Sequence, residues 1–534
     1  MVHCRGLFFI LTMRHAVLLL VLSLAIAAPS ARAADAVAGR RVVVVVWDGM
    51  RPDFVTPEGT PNLWALARAG VFFSNHHPVY LSATEVNGTA LATGDYPARD
   101  LIVANTDYRP RINPEERVAI ESPAVVRKGD AVSGDRYLGT PTLAEILHRH
   151  GLATVVAGSK QVALLQDRAS RSAGAGVSPV LFQGETEPAV LASELTASLG
   201  AFPPAGPPDD KRARDAWTTR ALTGWLWRAG VPPFTLLWLA EPDSTQHAAG
   251  LGTPEARAAI KSSDDNLGLV LADLDRRGLR DRTDVFVVSD HGFSTISRKV
   301  DVAAELAQAG FAAKRSVPGG LQPGEVMVVG NGGSTLLYVG GHDAGVCARL
   351  ARYLFQQVWT GTVFSRQPID GTFPLAAAHL DAPEAPDLVV ALAWSDGVNA
   401  AGVPGLGVSD LKPTVDKAAN HASLSRYDMH NTLVAAGPDL RAGLRDPLPT
   451  GNCDLAPTIL WILGLRSELS QMDGRVLGEA LAGAAPAVRS FDLRRLTARC
   501  DLGGGRAWTQ YLNVSRVDGV DYFDEGGGGA GPGR

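Results

Sequence analysis

The chain has 534 residues, 50 Lys+Arg against 55 Asp+Glu, and 46% hydrophobic residues. That apolar share excludes wholesale disorder, and a net charge of -5 argues against gripping nucleic acid by bulk electrostatics. Four cysteines without a C-x-x-C pair exclude a disulfide-framed scaffold or a zinc knuckle.

Residues 1–33 read as a cleaved export signal. Arg14 and His15 precede an apolar run over 16–28, Ala31-Arg32-Ala33 fits a small-x-small cleavage site, and Met13 makes a better start than Met1. The run is short of the ~20 residues of a membrane span, and an uncleaved anchor is the alternative. Cleavage removes three arginines and no acid, moving the net charge from -5 to -8. It leaves Cys347, Cys453 and Cys500, enough for one disulfide and one thiol. A periplasmic or secreted protein without a stable membrane span is expected.

Residues 42–46 are all valine and lead to Trp47-Asp48-Gly49, the signature of a buried parallel strand delivering an acid at its carboxyl end. Helical segments are expected over 62–69, 142–150 and 257–277. Strands are expected over 155–158, 234–240, 285–288, 388–393 and 432–436. Alternating strands and helices predict an α/β fold with a mostly parallel sheet covered on both faces, with ligands gathered beyond the strand ends. Two regions read as insertions: 99–135, polar and aperiodic, and 298–383, broken by Gly-Gly turns. Residues 503–505 and 526–534 are glycine-rich and read as flexible. The expected organisation is therefore a signal over 1–33, one catalytic domain over 34–490, and a C-terminal extension with a flexible tail over 491–534.

Three of these strands each run into an acid, and the candidate ligands are Asp48, Asp243, His247, Asp290, His291 and His421. Taken singly, an Asp before Gly is a common turn former and a loop histidine is commonly just solvated. Four segments placing Asp or His just past an apolar strand, or in the loop before one, favour a metal site. Mixed carboxylate and imidazole ligands suit zinc, and two metals ~4 Å apart clamp the attacking and leaving oxygens of a displacement at phosphorus.

In this order the motifs resemble the nucleotide pyrophosphatase/phosphodiesterase (type I phosphodiesterase) family of the alkaline phosphatase superfamily. Asp48-Gly49-Met50-Arg51-Pro52-Asp53 resembles its D-G-x-R-P-D block, and Pro242-Asp243 to His247 its P-D-x-x-G-H, with Gln246 in place of glycine. Ser289-Asp290-His291-Gly292 matches S-D-H-G. Asn420-His421 with Asp428-Met429-His430 resembles G-x-H-G…D-M-H, with Ala419 and Ala422 for the glycines, and Asp454 to Thr458 resembles the closing D-x-x-P-T.

The resemblance implies an alkaline-phosphatase-like three-layer sandwich elaborated by insertions. It also implies two zinc ions: one on Asp48, Asp290, His291 and Thr84, the other on Asp243, His247 and His421. Alignment of residues 78–88 makes Thr84 the nucleophile, with Ser82 as its rival, and Asn87 the amide donor to a phosphoryl oxygen. Glu85-Val86 stands for the usual aromatic-Pro pair and Gly88 for a usual His. His430 is expected as supporting structure, and His76 and His77 as surface or second-layer histidines.

The expected activity is hydrolysis of a small anionic phosphate ester or nucleotide-like substrate through a phospho-threonine, with no nucleic-acid polymer as partner. A phosphomonoesterase, or a non-catalytic exported binding protein on the same scaffold, is the alternative. A monoesterase needs an extra cation for the third anionic oxygen, for which Lys160, Arg109 and Arg111 are candidates. A sulfatase is disfavoured, because no C/S-x-P-x-R motif lies near Thr84.

Overall fold

The computed structural model describes residues 39–168, 178–207, 209–483 and 487–532; the expected signal lies outside them. Nine strands form the central sheet: β1 (Arg41–Trp47), β2 (Val71–Phe73), β3 (Thr154–Gly158), β4 (Val180–Phe182), β5 (Glu185–Glu187), β6 (Phe234–Leu239), β7 (Thr283–Val288), β8 (Leu433–Ala436) and β9 (Leu444–Asp446). Their order is β9-β2-β8-β7-β1-β6-β3-β4-β5. The run β7-β1-β6-β3-β4 is parallel throughout. Strand β8 is antiparallel to both β7 and β2.

The valine run of β1 explains the layering. Val42, Val44 and Val46 face one apolar core and Val43, Val45 and Trp47 the other, because successive side chains of a strand alternate. Helices α1 (Pro61–Ala69) and α4 (Pro254–Arg276) cover the second face through Leu63, Leu66, Ile260, Leu267 and Leu274. Helices α2 (Thr84–Thr93) and α5 (Leu455–Ile462) cover the first through Val86, Ala90, Ile459 and Leu460. Between β6 and α4 lies the short α3 (Asp243–Ala249). At ~25 cal/mol per Å² of apolar surface, two faces buried along β1 drive the chain into three layers.

Two expectations change. Leu388–Leu392 belongs to a separate six-stranded sheet, running antiparallel to Ser334–Val339 and Thr360–Ser365. An apolar run alone does not say which sheet receives it. The supposed glycine-rich tail is ordered: Phe491–Gly503, Arg506–Val517 and Val520–Pro532 form a three-stranded antiparallel sheet. Its glycines permit close docking, since a Cβ on Gly528 would lie 2.5 Å from the Gly361 carbonyl oxygen. The Gln510 side chain bonds both the N–H and the carbonyl of Val363, at 2.8 and 3.0 Å.

Region 99–135 holds a two-residue strand pair and the helix Pro123–Ser133. Cys347, Cys453 and Cys500 are all unpaired, so the one disulfide they could supply is not formed. No helix among the described residues is long and apolar enough to cross a membrane.

Candidate two-metal centre

Asp48 follows β1, Asp243 opens α3 after β6, and Asp290 and His291 follow β7, so three neighbouring parallel strands deliver their acids to one end of the sheet. His247 lies one turn along α3, and His421 comes from the loop after Ala419–Asn420. Thr84 begins α2, whose ten residues are all buried and whose positive end faces this spot.

Ligand atoms of Asp48, Asp290 and His291 lie within 4.8 Å of one another, as do those of Asp243, His291 and His421. His247 Nε2 is 3.3 Å and His421 Nε2 3.7 Å from Asp243 Oδ1. Asp48 Oδ1, Asp243 Oδ1 and Asp290 Oδ2 are buried without a hydrogen-bond partner. Each imidazole donates from Nδ1 to a carbonyl: His247 to Ala419 at 2.8 Å, His291 to Gly292 at 2.9 Å, His421 to Ser82 at 2.9 Å. A carbonyl offers only lone pairs, so Nδ1 carries the proton and Nε2 is left as a donor of electrons to a cation.

The electrostatics point the same way. Burial raises the Asp48 carboxyl well above its ordinary value, with Asp290 adding repulsion, and burial brings Asp290 to about 6. Burial also lowers His291 and His421. Burial works upward on Asp243 too, but Lys160 and His247 outweigh it and hold that carboxyl low. Three crowded carboxylates facing one ammonium leave uncompensated negative charge, and unpartnered acids and neutral imidazoles fit divalent cations, zinc foremost.

Lys160, following β3, places Nζ 2.8 Å from Asp48 Oδ2 and 3.2 Å from Asp243 Oδ2. Burial opposes its charge, but Asp243, Asp48 and Glu121 together hold the ammonium well above its usual value. The other two candidate cations are engaged elsewhere: Arg109 by Asp107 and the Leu101 carbonyl, Arg111 by the Val132 carbonyl.

Thr84 Oγ1 lies 3.2 Å from His291 Nε2, to which its hydroxyl donates. Ser82 instead donates to the Ser423 carbonyl at 2.8 Å. Asn87 departs from expectation. Its Nδ2 serves the carbonyls of Val79, Leu81 and Ala83, and its Oδ1 accepts from Val79 N and Asn452 Nδ2. With both ends of its amide engaged, Asn87 braces the loop before α2 and has no donor for a phosphoryl oxygen.

Asn105 lies outside every motif of the sequence named above. Its Oδ1 accepts from Glu85 N at 2.9 Å, beside Thr84, and its Nδ2 has no protein partner among the described residues. No local pattern marks it, because it comes from the aperiodic region. His76 is not on the surface: it bonds Thr450 and Asn452, both at 2.9 Å, and Asn452 in turn holds the Asp290 carbonyl. His77 and His430 are neighbours, with ring centroids 4.5 Å apart. Gln246 bonds the Gly49 carbonyl, so the departure from glycine leaves α3 in place.

A sheet that carries such a cluster at its parallel strand ends, beside a hydroxyl opening a buried helix, defines an α/β sandwich of alkaline-phosphatase-like architecture with a candidate metal centre. The profile of the type I phosphodiesterase/nucleotide pyrophosphatase family matches residues 42–400, and the chain belongs to that family. Human ectonucleotide pyrophosphatase/phosphodiesterase family member 7 is 26% identical over 290 residues, 53% of this chain and 55% of that protein. The mouse bis(5'-adenosyl)-triphosphatase of the same group is 24% identical over 260 residues, 48% of each. The chain thus spans about half the length of the curated relatives it matches. Murine ectonucleotide pyrophosphatase/phosphodiesterase 5, solved with AMP, superposes with a TM-score of 0.55 at 18% identity, covering 80% of this chain and 95% of that one. The fold is therefore the expected alkaline-phosphatase-like sandwich.

Proposed function

We propose that the protein is an exported two-zinc phosphate ester hydrolase that works through a phospho-threonine. The observation that supports this reading is the meeting of three unpartnered carboxylate oxygens with the Nε2 atoms of His247, His291 and His421, of which His291 Nε2 lies 3.2 Å from Thr84 Oγ1. Asp48, Asp290, His291 and Thr84 would hold one zinc, and Asp243, His247 and His421 the other. When bound, the pair lowers the pKa of the threonine hydroxyl and neutralises charge on the phosphoryl and leaving oxygens.

Thr84 Oγ1 then forms a bond to phosphorus as the ester oxygen departs, and water displaces the threonine oxygen in a second step, which frees a phosphate monoester when the substrate is a diester. The positive end of α2 stabilises the anionic group, and Asn105 Nδ2 donates to a non-bridging oxygen as charge builds there. Phosphodiesters and nucleotide pyrophosphates are the substrate classes the family suggests.

Thr84→Ala should lower kcat for bis-4-nitrophenyl phosphate on the order of 10⁴-fold with metal content unchanged. Substantial residual turnover would sink the nucleophile assignment. A zinc-loaded wild type that released no 4-nitrophenol would point to the non-catalytic binding protein instead.

Lys160 favours a second reading, a phosphomonoesterase. A dianionic terminal phosphate offers one more charged oxygen than a diester, and Lys160 supplies the ammonium at the centre. Under this reading Lys160→Ala lowers kcat/KM for 4-nitrophenyl phosphate far more than for the diester. An equal loss on both would remove it.

A further inference from the structure

Away from the catalytic cluster, three segments distant in sequence meet at a second group of ligand atoms. His77 precedes the nucleophile loop, His430 follows the His421 loop, and Asp524 lies on the last strand of the C-terminal sheet. Their ligand atoms lie within 4.8 Å of one another.

The proton inventory here does not close. His77 Nδ1 faces the Thr450 carbonyl at 3.0 Å and His430 Nδ1 the Arg426 carbonyl at 2.8 Å, so both Nδ1 atoms carry hydrogen. Each Nε2 is left with a lone pair, yet each faces an oxygen acceptor: His77 meets Asp524 Oδ1 at 3.2 Å, and His430 meets Asn75 Oδ1 at 3.1 Å. Acceptors brought together in pairs need a cation between them, or an extra proton on His77 and a turned Asn75 amide. Two nitrogens and two oxygens ~2.0–2.2 Å from a tetrahedral zinc lie ~3.3 Å apart along its edges, close to both distances here.

The surroundings fit a held ion. Ser515 Oγ donates to both Asp524 oxygens at 3.0 Å, orienting the carboxylate. A cleft of about 630 Å³ lined by Asn75, His430 and Asp524 gives an ion access from solvent. Of the arginines that line the cleft, Arg426 is paired with Glu525 at 2.7 Å and Arg494 with Asp492 at 2.6 Å.

We propose that His77, His430, Asp524 and Asn75 form a third zinc site, a structural one, that pins the C-terminal sheet to the catalytic domain. It stands apart from the two-metal reading, and its test does not depend on how many ions the catalytic centre holds. Anomalous diffraction from the full wild-type chain at the zinc edge should show a peak between His77 and Asp524. In solution, Asp524→Ala and His430→Ala should each bind one zinc fewer per chain than wild type, with hydrolysis of bis-4-nitrophenyl phosphate retained and Asp524→Glu restoring the ion. An unchanged zinc count in both variants would overturn the site. The absence of an anomalous peak in the zinc-supplied wild type would do the same, leaving a His77–Asp524 ion pair, and that map decides even where a variant does not fold.

Discussion

The catalytic cluster and the C-terminal sheet are built on opposite principles. Around Thr84, buried charged groups crowd together and leave carboxylate oxygens without partners. In the C-terminal sheet, Gln510 pairs with both polar groups of the Val363 backbone, and glycines let the facing backbones touch. One region crowds charge that burial penalises, whereas the contact around Gln510 and Gly528 is made by paired groups and close backbones. Substitutions in the first should therefore separate activity from stability, and those in the second should move stability alone.

The sharpest way to break that contrast lies within the cluster, between two asparagines. Asn105→Ala should lower kcat about 10²-fold, with the melting temperature little changed beyond the lost bond to Glu85 N. Asn87→Ala should destabilise the protein by about 3 kcal/mol or more, because it strips partners from buried carbonyls. Thermal melts together with steady-state kinetics check both. If Asn87→Ala were stable and catalytically dead, the phosphoryl-donor role would return to Asn87.

In the C-terminal sheet, Gln510→Ala leaves the Val363 N–H and carbonyl unpaired. It should cost about 2–3 kcal/mol in denaturant unfolding with kcat/KM unchanged. A fall in kcat/KM would show that the sheet also shapes the active site.

The smallest effect is expected beside His421. Ala422, where the family's motif has glycine, sits at φ 73°, a left-handed conformation that disfavours a Cβ. Ala422→Gly should stabilise the protein by about 0.5–1 kcal/mol, read as a small rise in melting temperature.

Much of the candidate site was legible in the chain because its signals are local. A valine run ending in Asp48, an apolar strand before Asp243 and another before Asp290 each announce a buried strand end within a few residues. Asn87 and Asn105 mark where that reading stopped. Alignment by position placed an asparagine near the nucleophile, but hydrogen bonds from Asn452 and the Val79 loop decided which amide is engaged and which is free.

The C-terminal sheet stood outside local reading for a related reason. Glycines in a flexible tail and glycines in a close-docked strand look alike until the opposing backbone of Gly361 is in place. Nothing local joins His77 and His430 to Asp524 either, since the three lie far apart in the chain.

The layered α/β class, the candidate ligand side chains and their delivery at strand ends are already set by local sequence. Periodicity and burial act within a few residues, so those features needed no partner segment. Only the tertiary structure decided where each polar atom finds its partner: Lys160 between Asp48 and Asp243, Asn105 rather than Asn87 left with a free donor, and the last strand locked against the catalytic domain. Those outcomes depend on side-chain direction and on contacts between distant segments, which no local pattern encodes.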